Sequence, residues 1–66
     1  MTEALEQLLD EISTTCENGN SFRKVVFLGI TMSPTVKSRN EYITSLGKHI
    51  GIPVEKVERV IALLPV

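Results

Sequence analysis

The chain has 66 residues and a formal net charge of −1 at neutral pH, with 42% hydrophobic and 23% charged residues. A chain this short buries only about 60% of the surface its unfolded form exposes. Its single cysteine, Cys16, and single histidine, His49, exclude an intramolecular disulfide and a Cys/His zinc site. Self-association, as a homodimer, is the remaining expected source of added stability. One histidine, one cysteine and few clustered carboxylates also leave little material for catalysis, so no enzyme, metal or cofactor is expected. The apolar runs are too short to cross a bilayer. Met1-Thr2-Glu3-Ala4 has neither a basic region nor an apolar stretch of the secretory kind, and a cytoplasmic setting is expected.

The elements of a single domain over residues 1–66 follow in chain order. Leu5, Leu8, Leu9, Ile12 and Cys16 form one helical stripe, predicting a helix over residues 3–17 with Thr2 as N-cap. That helix is acidic: residues 1–20 hold five carboxylates and no lysine or arginine. Asn18-Gly19-Asn20 is expected to end it through a left-handed residue. Residues 21–66 form a basic body, with seven cations against Glu41, Glu55 and Glu58. Residues 22–32 fit two states. Their β-branched and aromatic content suits a strand, whereas as a helix they are apolar nearly all round and call for the centre of a bundle. Ser33 as cap and Pro34 in the first turn predict a helix over about 34–50, with Val36, Tyr42, Ile43, Leu46 and Ile50 inward. Gly51-Ile52-Pro53 breaks the chain, and a last helix runs from Pro53 to about Leu64, stopped by Pro65.

From Leu46 to Ile61 the chain reads Leu-Gly-Lys-His-Ile-Gly-Ile-Pro-Val-Glu-Lys-Val-Glu-Arg-Val-Ile. Two helices that cross sharply need a small residue at their approach, a turn glycine able to take positive φ, and apolar facing sides. Gly47, Gly51 and the set Leu46, Ile50, Ile52, Val57 and Val60 match these needs. The segment, taken as residues 43–64, thus resembles the helix-turn-helix superfamily over about a third of the chain. The resemblance implies an all-α domain of three or four helices, with residues 22–32 helical. It implies a recognition helix that enters the DNA major groove. Carried over, Pro53, Val54, Glu55, Lys56 and Arg59 form the reading surface, and Lys48 and His49 approach the backbone. Arg59 is a candidate for guanine and Lys56 for a phosphate or base. Arg23, Lys24, Lys37 and Arg39 are candidates for a phosphate-binding rim. Glu55 and Glu58 run against this reading through phosphate repulsion, although Glu55 and Arg59 are spaced to pair on the helix.

The strand alternative resembles the ribbon-helix-helix regulators, an α+β arrangement in which residues 24–31 pair across a dimer. Its outward residues would be Arg23, Val25, Phe27, Gly29 and Thr31. Both resemblances imply a small non-catalytic transcriptional regulator bound to double-stranded DNA. The alternative function is a protein-interaction module, an inhibitor or adaptor of transcription or other regulatory machinery, that uses helix 3–17 or the C-terminus. Ile61, Leu63, Leu64 and Val66 exceed what one small core hides and are read as a dimer seam. Cys16 is read as packing, His49 as a surface residue, and Tyr42 as a ring over the core with its hydroxyl in water.

Overall fold

Four α-helices carry the chain: α1 (Glu3–Thr15), α2 (Gly19–Met32), α3 (Val36–His49) and α4 (Val54–Leu63). The computed structural model describes residues 3–65, so the Thr2 cap and the Val66 end of the dimer seam lie outside the described residues. With 81% helix and no strand among the described residues, the ribbon-helix-helix alternative is overturned. The reason is visible in α2, where Phe22, Val26 and Gly29 are buried at spacings of four and three. Those spacings close a stripe on a helix, and a lone strand would have left its backbone unpaired.

The helices form a ring in which α1 packs on α2, α2 on α3, α3 on α4 and α4 on α1, leaving α1 and α3 diagonally opposed. All four supply the core: Leu5, Leu8, Leu9 and Ile12 from α1, Phe22 and Val26 from α2, Ile43 from α3, and Val57 and Val60 from α4, with Ile52 and Leu64 closing it. No polar or charged residue is buried among them. The stripe of α1 is therefore spent on its own domain. The acidic–basic division of the sequence becomes spatial, with Glu3, Glu6, Asp10 and Glu11 on α1 and Lys37, Arg39 and Lys48 on the opposed α3.

Three expected boundaries move. The first helix ends at Thr15, and Asn18-Gly19-Asn20 does not close it in a left-handed conformation, because Gly51 is the one described residue with positive φ. Gly19 instead starts α2 and is required for space: a Cβ there would lie 2.0 Å from the Ile12 carbonyl oxygen and 2.5 Å from Ser13 Cα. At the start of α3 the cap is Thr35, whose side chain accepts a 3.1 Å hydrogen bond from the Ser38 N–H, and Pro34 precedes the helix. Proline biases the residue before it toward extended backbone. Ser33 accordingly takes φ −81°, ψ 132° and terminates α2, its N–H donating to the Gly29 carbonyl. Finally, α4 starts at Val54, with the carbonyl of Pro53 accepting from the N–H groups of Lys56 and Val57.

Candidate interaction surfaces

The connection between α3 and α4 is fixed by backbone chemistry. Gly51 sits at φ +85°, its N–H donates to the Lys48 carbonyl (3.1 Å), and the Ile52 N–H reaches back to the Gly47 carbonyl (2.9 Å). These two bonds are the Schellman arrangement, which satisfies carbonyls left orphaned at a helix end. Gly47 provides the close approach expected of it, since an added Cβ would meet Phe22 Cε1 at 2.9 Å and Val57 Cγ2 at 3.0 Å. A further tie was not foreseen: the Asn18 side-chain amide donates to the Ile50 carbonyl at 2.9 Å. One turn of the ring thereby holds the other.

The eight candidate nucleic-acid contacts fall into two groups. Lys48 and His49 are exposed in the last turn of α3, and Val54, Glu55 and Arg59 are exposed on α4. Lys37 is exposed in the first turn of α3, about 16 Å along the helix from Lys48. Arg39 belongs to that far end too. It is half-buried, donating to the Pro65 carbonyl and to Asn40 Oδ1, which removes it from the free rim. Lys56 is not an open reading residue either, because its ammonium is 3.1 Å from Glu11 Oε1 on α1 and its side chain is only 26% exposed. Arg23 likewise pairs with Asp10 and lies over the Phe27 ring, its guanidinium carbon 6.0 Å from the centroid. The spaced pair Glu55 and Arg59 forms no ion pair. Outward on α4 there remain two carboxylates, Glu55 and Glu58, and one arginine, with the acidic α1 alongside.

Other expectations about burial also change. Ile43 is buried on α3, Leu46 and Ile50 are partly so, but Val36 lies in the first turn and stays 40% exposed. Tyr42 sits beside the inward stripe, its ring against Gly29 and its surface 37% exposed. At the C-terminus Leu64 is buried, while Ile61 and Leu63 pack partly on the core. Leu64 thus helps close the domain, and Ile61 and Leu63 keep part of their surface outward. Cys16 packs against the same core.

The largest apolar exposure lies away from the helix-turn-helix surface, on α2, where the strand alternative puts Phe27 and Thr31 outward but not Leu28 or Met32. On α2, Phe27 is 38% exposed, Leu28 49% and Met32 77%. With Lys24 and Thr31, Phe27 and Leu28 line an open hollow of about 370 Å³ that is almost wholly apolar. Lys24, Phe27, Leu28 and Thr31 stand at i, i+3, i+4 and i+7, a second stripe on the side of α2 away from Phe22, Val26 and Gly29. The sequence signal was the nearly uniform apolarity of residues 22–32, which implied that both sides of this helix seek cover. Among the described residues no helix is long and apolar enough to cross a membrane. Comparison with family models, curated proteins and solved structures returned no match.

Proposed function

We propose that the chain is a small, non-catalytic protein-interaction domain of the cytoplasm that receives a partner on the outer face of α2. The observation that carries this reading is the exposed Phe27–Leu28–Met32 face on a helix whose opposite side already fills the core. Contiguous apolar exposure of this kind marks interaction sites on small soluble domains, and aromatic and methionine side chains are enriched at interface centres. The flanking cation Arg23 is neutralised by Asp10, leaving Lys24 at the edge of the face.

The test is site-specific photo-crosslinking in cells, with the reactive residue placed at position 28 and, as control, at position 58. A protein adduct at position 28 and none at position 58 is expected. No adduct at position 28, or equal adducts at both, overturns the reading.

DNA binding through α3, the turn and α4 is a second reading, favoured by the exposure of Lys48, His49, Val54 and Arg59 around the Gly51 turn. It requires Glu55 and Glu58 to be tolerated near phosphates. Titration against random duplex DNA by fluorescence anisotropy separates the two. Binding that weakens steeply with salt supports the DNA reading, because each neutralised phosphate releases counterions. Absence of binding at low salt removes it.

A further inference from the structure

We propose that the partner on the outer face of α2 is a second copy of this chain, docked so that the two α2 helices run antiparallel. The inference rests on the protein-interaction reading and names its occupant. Three observations lead to it.

First, α2 is apolar on opposite sides, with Phe22 and Val26 buried inward and Phe27, Leu28 and Met32 exposed outward. A helix apolar all round belongs in the middle of a bundle. In the ring of four it is a corner, touching only α1 and α3. Pairing two rings through α2 places both copies of the helix at the centre of an eight-helix body, where their pattern belongs.

Second, the charges on the face select self-pairing and its direction. α2 contains no acidic residue, and Arg23 is engaged with Asp10, so among the described residues Lys24 is the one charged side chain lining the hollow on this face. A parallel pair would set Lys24 against the Lys24 of the second copy. An antiparallel two-fold centred between Phe27 and Leu28 sets Phe27 against Leu28 of the second copy, and Lys24 against its Thr31. There the ammonium also meets the carbonyl end of the opposing helix, the negative pole of its dipole. No basic side chain occupies the last turn of α2, so that pole is open to a cation from outside. Such a contact is isologous and closes as a dimer.

Third, neither an intramolecular disulfide nor a Cys/His metal site is open to residues that include one cysteine and one histidine, so association is the route to added burial for a domain of this size. A face one helix long is smaller than the roughly 800 Å² per partner of a standard interface. The expected dissociation constant is on the order of 10 µM, not nanomolar.

Sedimentation velocity of the full chain, across a concentration range that brackets this value, is the experiment. A concentration-dependent shift from 7.3 kDa monomer to dimer is expected. Leu28→Asp, or Met32→Asp as an independent variant, is expected to abolish it with far-UV circular dichroism unchanged, since both positions are exposed. Lys24→Glu and Thr31→Lys are each expected to weaken the dimer about tenfold, and the double variant to restore it, because position 24 faces position 31 only in the antiparallel register. Three results overturn the proposal: a monomer throughout, a dimer indifferent to both aspartate substitutions, or a double variant no tighter than the singles. If the chain is monomeric, the adduct at position 28 distinguishes the two failures. An adduct with a different protein retains the interaction reading and removes self-pairing, whereas no adduct removes both.

Discussion

The α1–α2 and α3–α4 junctions each depend on a glycine, and they use it for different physical reasons. Gly51, between α3 and α4, adopts φ +85° with nothing within 4 Å of where a Cβ would stand. It is needed for its backbone conformation alone. Gly19, the first residue of α2, has ordinary helical backbone and no room, because α1 lies across it with the Ile12 carbonyl at 2.0 Å from the absent Cβ. One glycine is a property of a local turn, and the other is a property of two helices meeting.

That contrast predicts unequal costs. Gly19→Ala is expected to have the largest effect, since the obstructing atoms are backbone and α1 must move away from α2 to admit the methyl. A loss of about 3 kcal/mol or more, against a total stability of about 3–10 kcal/mol for a domain of this size, removes about a third or more of that stability and lowers the unfolding midpoint steeply. Urea denaturation followed by circular dichroism measures it. A Gly19→Ala variant that unfolds at the wild-type midpoint would break the comparison. Gly47→Ala is intermediate. Its neighbours are the ring edge of Phe22 and a methyl of Val57, which can shift by a few tenths of an ångström, and alanine gains about 1 kcal/mol of helix propensity over glycine. A net loss of about 1–2 kcal/mol is expected, read as a fall in Tm of about 4–16 °C. Gly51→Ala meets no atom but strains the left-handed region, costing about 1 kcal/mol after the unfolded chain loses freedom. Gly51→Asn should recover part of that loss, because asparagine tolerates the conformation; equal losses for the two variants would remove the conformational explanation.

The same contrast explains what the sequence disclosed. Gly51, Gly47 and the facing set Ile52, Val57 and Val60 could be read in order, because a turn glycine and apolar spacing are local signals. The stripe Leu5, Leu8, Leu9 and Ile12 was legible for the same reason. Gly19 was misassigned to a left-handed cap, since contact with a carbonyl seven residues earlier depends on how two helices cross. Lys56 and Arg39 were assigned to an open basic surface by residue type. Their engagement with Glu11 and with the Pro65 carbonyl depends on α4 packing beside α1 and on the C-terminus returning to α3. The outer face of α2 lay between these cases. Its apolarity was evident, but which half of the helix the core would take was decided by Gly29 and Gly47, where α3 comes close enough to cover only one side.

The smallest expected effect joins the two connections. Asn18 ends the α1–α2 turn, and its amide donates to the Ile50 carbonyl at the foot of the α3–α4 turn. The bond is solvent-exposed, so Asn18→Ala should cost only about 0.5–1 kcal/mol. Its interest lies in coupling. Alanine at position 51 disturbs the peptide adjoining the Ile50 carbonyl, and thereby the acceptor geometry that Asn18 uses. In a double-mutant cycle the losses from Asn18→Ala and Gly51→Ala should fall short of additivity by about 0.5 kcal/mol, since a bond already weakened cannot be lost twice. Strict additivity would mean that the two turns are stabilised independently and that the ring is held by its core alone. Coupling would place the α3–α4 turn under control of a residue 32 positions earlier in the chain. A partner that shifts the α1–α2 turn would then be felt at Lys48, His49 and Val54.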